Sequence, residues 1–254
     1  MTNEMQQNVG MEERKMTTIN GFLMLFVAIA LLAAAAASFF MIGGGAGIAL
    51  CVVLFIVDCF VLGGFAVIRP NEAMVLTLFG KYSGTIKGEG FYWYNPFCSP
   101  VRYGKSSKIS LKAMTLESGQ QKINDELGNP VMIGIVVIWR VTNTAKAVFD
   151  VDDYEDYLAT QSDAALRSTV RQYPYDGFNN DAEKSLQGSS QEVADRLKEE
   201  IQSKVHIAGL EILEARITHL AYAPEIASAM LQRQQAAAII DARAMIVDGA
   251  VGMV

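Results

Sequence analysis

Two long uncharged runs dominate the hydrophobic pattern. Gly21 to Ile42 carries no charge, and Ala46 to Ile68 carries only Asp58. Each run is about 20 residues, the length a helix needs to cross ~30 Å of hydrocarbon. Gly43-Gly44-Gly45 between them suits a tight reversal. The pattern therefore predicts a polar tail over residues 1–20 and a transmembrane helical hairpin over residues 21–68. Beyond the breaker cluster Arg69-Pro70-Asn71-Glu72 the period drops toward two. Ala73 to Phe79 predicts a strand, and the turn chemistry of Gly80 to Thr85 leads into a second. From Ser107 to Glu117, Ile109, Leu111 and Ala113 alternate with Lys108, Ser110 and Lys112, which predicts a half-buried strand. Gly128-Asn129-Pro130 is a turn, and the β-branched run Val131 to Thr142 predicts a buried central strand.

The period then becomes helical. Asp153 to Gln172 places Tyr154, Tyr157, Leu158, Gln161 and Ala165 on one stripe, and Pro174 stops it. Tyr173 to Gln187 is polar and loop-like. Ser189-Ser190-Gln191-Glu192 reads as a capping box, and Val193, Leu197, Ile201 and Val205 follow in line. Glu200 and Lys204 form a favourably ordered i,i+4 pair. Gly209 ends this helix, and Leu210 to Tyr222 alternates as a strand. Pro224 opens a final helix as an N1 proline. Its apolar positions Ile226, Met230, Ala237, Ile240, Ala244, Val247, Val251 and Val254 keep steps of 4 and 3 once Arg233 fills the gap. That is a heptad seam. Ala236, Ala238, Ile239, Met245 and Ile246 widen it, which favours packing between chains over folding back on one domain. The apolar ending lacks a charged stop, so the natural chain is expected to continue past Val254.

Asp58 sits inside the second run, where a carboxylate costs ~2.5–3.5 kcal/mol. The surrounding Leu, Ile, Val and Phe outweigh that cost, at roughly 0.3–0.6 kcal/mol each. Asp58 is expected to face the first helix at Ala33 to Ala37, where small side chains permit close approach. It serves there as a protonated hairpin contact or as a proton or ion site. Ala35-Ala36-Ala37 resembles a cleavage site, but the acidic, extended N-terminal region argues for an uncleaved anchor. Arg14 and Lys15 precede the first span, Arg69 and Lys81 follow the second, and the loop between them has neither Lys nor Arg. The positive-inside rule then puts both termini in the cytoplasm.

Composition sharpens this picture. The 254 residues are 51% apolar and 19% charged, with mean hydropathy +0.23. The net charge is −6 and the pI is near 5.0, which argues against a nucleic-acid partner. Three cysteines are too few for a disulfide framework, and Cys98 is expected near the surface beside Arg102 and Lys105. No P-loop, H-E-x-x-H, C-x-x-C or G-x-S-x-G pattern occurs, and His206 and His219 lack a second ligand at useful spacing. No catalytic, cofactor or metal residue is therefore assigned. The acidic run Asp150 to Asp156 is explained by matching to a helix N-terminus. The aromatic residues Phe91, Tyr92, Trp93, Tyr94 and Phe97 form a distinctive cluster. They either dip into the bilayer interface, where Tyr and Trp concentrate, or build an ordinary β-domain core.

The order of anchor, compact mixed domain and seamed helix carries a resemblance. Its residues are Pro70-Asn71-Glu72-Ala73, Phe79-Gly80, Gly90-Phe91-Tyr92-Trp93 to Pro96-Phe97, and Asn129-Pro130-Val131 leading into Val137 to Val141. It continues in Leu210-Glu211-Ile212 to Ile217, Ala223-Pro224-Glu225-Ile226 and Gln232 to Ala236. From Arg69 to Ala244 the chain resembles the SPFH or band 7 family of stomatin, prohibitin, flotillin and the HflK/HflC proteins. The double-span anchor and short final helix depart from some members. The resemblance implies an α+β fold: an SPFH mixed α/β domain over residues 69–222 and a coiled-coil-type oligomerisation helix over residues 223–254. It implies a non-enzymatic scaffold in a bacterial plasma membrane. Copies would assemble with one another into a ring or cage around a lipid patch and its clients. A narrower role on the same architecture is a regulatory subunit for a membrane protease of the FtsH type or with an NfeD-type partner.

Overall fold

The computed structural model describes residues 11–42, 44–104, 106–176 and 185–251. Gly43, Lys105, part of the Tyr173–Gln187 loop, Gly252 to Val254 and the side chain of Val251 lie outside the described residues. The chain divides into two compact units. Residues 1–112, 141–154 and 207–209 form the first, and residues 113–140, 155–206 and 210–254 form the second.

In the first unit, β1 (Ile19–Asn20) runs directly into α1 (Gly21–Ile42), and α2 (Gly44–Leu62) returns beside it. Both helices are long and apolar enough to cross a membrane. They meet along a heptad seam. Its covered positions are Gly21, Met24, Ala28, Leu31, Ala35 and Ser38 on α1, and Gly47, Cys51, Leu54, Asp58 and Val61 on α2. Sequence could not isolate this seam, because the lipid-facing positions are equally apolar. Of Ala33 to Ala37 only Ala35 lies on it. Asp58 is 1% exposed. Asp58 is thus buried on the side of α2 that packs on α1, and of the alanine run Ala35 lies on the same seam.

The second apolar run is not one helix. Gly63-Gly64 turns the chain, and Phe65 to Ile68 leaves as β2 (Phe65–Ile68). After a turn at Asn71, held at φ 58°, β3 (Glu72–Leu78) and β4 (Lys81–Lys87) form an antiparallel hairpin. β5 (Gly90–Trp93) lies between β1 and β2 in a small sheet of its own. β6 (Cys98–Pro100) and β7 (Ile109–Ser110) both pair with β3. The core here gathers Ala66, Ile68, Met74, Leu76, Ile86, Tyr94 and Cys98. Cys98 is therefore buried, not at the surface as expected. α3 (Thr144–Phe149) is capped by Asn143, whose side-chain oxygen accepts from the Lys146 amide at 3.0 Å.

The second unit centres on β8 (Met114–Asn124), β9 (Pro130–Val141) and β10 (Leu210–Tyr222), in the order β10-β9-β8. β9 is the buried central strand the sequence predicts. The strand expected over residues 107–117 instead splits at Leu111 to Ala113 between β7 and β8. α4 (Tyr154–Val170) buries Leu158, Ser162, Ala165, Leu166, Thr169 and Val170, a wider stripe than expected. α5 (Ser190–Val205) buries Val193, Leu197, Ile201 and Val205 against its own unit, and it packs on β10. Its apolar line is thus used within its own unit. Ser189 occupies the N-cap without a side-chain cap bond, so the expected capping box does not form. α6 (Pro224–Val251) extends from the end of β10.

Candidate functional site

The aromatic cluster is a clamp at the base of the hairpin. β5 pairs antiparallel on one side with Ile19–Asn20, just before α1, and on the other with Phe65 to Ile68, just after α2. One strand thus joins the entry of the first apolar helix to the exit of the second. Phe91 packs between Phe65, stacked at 5.2 Å, and Phe22, edge-on at 5.4 Å. The Trp93 indole donates to the Val61 carbonyl at 2.8 Å, an acceptor in the last turn of α2 that it shares with the Gly64 amide at 3.2 Å. The Tyr94 amide donates to the Gly64 carbonyl at 2.9 Å. Two glycines make the close approach possible. A Cβ on Gly21 would fall 2.5 Å from the Phe91 ring, and one on Gly64 would fall 2.4 Å from the Tyr94 carbonyl oxygen.

The five aromatics thus take separate roles. Tyr94 is in the core, where burial first and nearby Cys98 second raise its hydroxyl above the ordinary value. Phe91, Tyr92 and Trp93 are half-buried in the clamp. Phe97 points outward, 57% exposed, against Phe60 of α2 at 5.9 Å. Gly88, Gly90 and Pro96 bracket this stretch, and its strand partners are distant in the chain.

The polar tail is also built into this unit. The Thr85 amide donates to the Arg14 carbonyl at 2.7 Å, and the Met16 amide donates to the Thr85 carbonyl at 3.0 Å. Lys15 thereby bridges β4 in parallel. Gly84 admits this segment: a Cβ there would fall 3.0 Å from Met16. The Glu13 carboxylate pairs with Lys87 and accepts from the buried Thr144 hydroxyl at 2.6 Å. Thr144 in turn contacts the buried Thr85 hydroxyl at 3.2 Å.

The other candidate is α6. Its root is fixed within the second unit. Asp125 accepts from the Asn129 amide at 2.7 Å and the Tyr175 amide at 3.2 Å. The Tyr175 and Tyr222 rings lie 4.0 Å apart, tilted by 33°, and the Gln234 side-chain amide donates to Asp176 at 2.8 Å. Burial, then the Asp176 carboxylate, pushes the Tyr222 hydroxyl well above its ordinary value. Glu225 pairs with Lys122 at 2.7 Å, and that hydrogen bond lowers its carboxyl.

Of the predicted seam, Ile226, Met230 and Ala237 are half-covered, joined by Gln234 rather than Arg233. Beyond Ala237 every described side chain is exposed, including Ile240 at 65%, Ala244 and Val247. Among the described residues no cluster of His, Cys, Asp and Glu could hold a metal ion.

The comparisons agree with this architecture. The model of the SPFH domain / Band 7 family matches residues 66–246. The chain is 31% identical over 121 residues to the modulator of FtsH protease HflK of Escherichia coli K12, covering 48% of this chain and 27% of that protein. It is 31% identical over 118 residues to protein HflK of Buchnera aphidicola, covering 46% and 27%. An uncharacterized protein of Archaeoglobus fulgidus is 25% identical over 132 residues, covering 52% and 51%. The chain thus spans about a quarter of the length of the HflK proteins it matches. With the family model covering β2 through most of α6, and two apolar helices preceding it, the chain belongs to the SPFH domain / Band 7 family.

Proposed function

We propose that this chain is a non-enzymatic membrane scaffold. It assembles with copies of itself into a ring or cage and organises a patch of lipid and the proteins within it. The observation that carries this reading is the distal half of α6. There Ile239, Ile240, Met245, Ile246 and Val247 are all exposed on one helix that continues the heptad spacing of its root. Covering a side chain of this size contributes roughly 1.5–3 kcal/mol, so lateral association of several copies is strongly favoured. The seam to be covered is Ile226, Met230, Ala237, Ile240, Ala244, Val247 and Val251. Asp58 serves as a seam contact within the hairpin. Phe91, Tyr92 and Trp93 hold the domain at headgroup level, with Phe97 in the interface.

The docked tail supports one topology. Arg14 to Met16 hydrogen-bond to β4, which lies after both spans. A tail so docked shares a side of the membrane with the SPFH domain. With Arg14, Lys15, Arg69 and Lys81 flanking the spans, that side is the cytoplasm of a bacterial cell.

The test is the mass of the full-length protein in mild detergent by mass photometry. One discrete species of many subunits is expected, and Ile240→Glu or Val247→Glu is expected to collapse it while circular dichroism stays unchanged. A parent protein that runs as a monomer would refute the scaffold.

A second reading is favoured by the printed name of one relative, a modulator of FtsH protease. In that reading the chain regulates a membrane protease. Stoichiometric co-purification of such a protease would favour this narrower role over a general scaffold.

A further inference from the structure

The turn between β3 and β4 breaks a local rule. Leu78 pairs with Lys81, so Phe79-Gly80 is a two-residue hairpin loop. Both residues have positive φ, 48° at Phe79 and 82° at Gly80. That is the backbone of a type I′ turn, which favours Asn-Gly because Asn tolerates the left-handed region and Gly is free in it. A bulky aromatic there is a conformational outlier. Packing does not compensate, since Phe79 is 85% exposed. Neither turn chemistry nor the core explains this residue, and such violations mark sites where function sets the side chain.

The surroundings indicate which function. The Phe79 ring lies 6.4 Å from that of Phe97, and Phe97 lies 5.9 Å from Phe60. Phe60 is in the last turn of α2, the helix that crosses the membrane on the reading above. A file of three exposed rings thus runs outward from the membrane-spanning helix. Exposed Lys81 follows on the same turn, supplying the cation that accompanies interfacial aromatics. The file begins inside the bilayer, so its continuation meets lipid before it meets another protein.

We propose that Phe79 is a second membrane-inserting finger. The β3–β4 turn places its ring at the headgroup–acyl boundary beside Phe97, with Lys81 among the lipid phosphates. The proposal rests on the hairpin being embedded, but not on any assembly of copies.

The test uses the full-length chain in vesicles of phosphatidylethanolamine and phosphatidylglycerol, with and without phosphatidylcholine brominated near the top of its acyl chains. Phe79→Trp and Phe60→Trp are each measured, and the emission of the parent, which holds Trp93 and Trp139, is subtracted. In both variants the added emission is expected to be largely lost to brominated lipid and to resist aqueous acrylamide. If Phe60→Trp behaves so while Phe79→Trp is quenched by acrylamide alone, the finger is refuted and the hairpin stands. If Phe79→Trp is shielded from both quenchers, protein covers the turn, a second copy for example, and the lipid assignment is overturned. If Phe60→Trp itself escapes the brominated lipid, the hairpin reading fails and the finger with it.

Discussion

Adjacent glycines at the end of α2 should respond in opposite ways to the same methyl group. At Gly64 a Cβ would lie 2.4 Å from the Tyr94 carbonyl oxygen and 2.6 Å from the Trp93 indole nitrogen. At Gly63 the nearest atoms are the Phe60 carbonyl oxygen at 3.5 Å and the Pro96 Cβ at 3.7 Å, which is ordinary contact. Relieving the clash at Gly64 requires backbone to move, because one colliding atom is a carbonyl. That movement pulls β5 away from the turn and strains two hydrogen bonds, Tyr94 amide to Gly64 carbonyl and Trp93 indole to Val61 carbonyl. Overpacking costs about 1–3 kcal/mol, and each weakened bond adds about 1 kcal/mol. Gly64→Ala should therefore cost about 3 kcal/mol at the clamp, and Gly63→Ala under about 0.5 kcal/mol. Amide exchange at Tyr94, measured by mass spectrometry in detergent, reads the clamp directly. Gly64→Ala should speed it about a hundredfold, following the 1.4 kcal/mol per decade of a local opening equilibrium. Equal protection in the two variants would refute the clamp.

Three further outcomes are expected. Phe79→Asn should stabilise the first unit by about 1 kcal/mol by suiting the left-handed turn, read as a higher urea midpoint. Glu13→Ala should release the tail, because it strips a charged acceptor from the buried Thr144 hydroxyl. The cost is about 1.5–3 kcal/mol for that bond, with little added by the partly exposed Lys87 pair, and new proteolysis near Arg14 should report it. In the second unit, Tyr222 is an acid whose folded value is raised above its ordinary 10, so the neutral form is favoured by folding. Its contribution is fully present below pH 10 and is lost as pH rises above it, so Tyr222→Phe should flatten the alkaline limb of a melting-temperature profile.

Local pattern was legible wherever polar and apolar residues contrast within one element. The line Val193, Leu197, Ile201 and Val205 in α5 is buried as its spacing demanded. β9, β10 and the length of α6 follow equally from period and punctuation. Contrast is scarce in the hairpin, where Ser38 and Asp58 stand among apolar residues and glycines, so the full seam was invisible and Phe65 to Ile68 blended into the preceding helix. The Gly63-Gly64 pair was the available signal for that break. Non-local pairing was hidden for another reason. β5 joins Ile19–Asn20 to Phe65–Ile68, partners separated in sequence by the whole hairpin. The docked tail is polar, and its bonds are to backbone and buried hydroxyls, which hydropathy does not register. Of the candidate site, the aromatic run from Phe91 to Phe97 stood out, but its partners Phe22, Val61, Gly64 and Phe65, and its division among core, clamp and outward-facing positions, did not.

The strand that laces both ends of the hairpin leaves no slack between anchor and domain. Ile19–Asn20 passes into α1 without a linker, and only Gly63-Gly64 separates α2 from Phe65. A torque on this part of the domain is therefore delivered to the pair of membrane helices as to the shaft of a lever. A tilt of that helix pair would in turn be felt as a load on the pairing of β5 with β2 and with Ile19–Asn20.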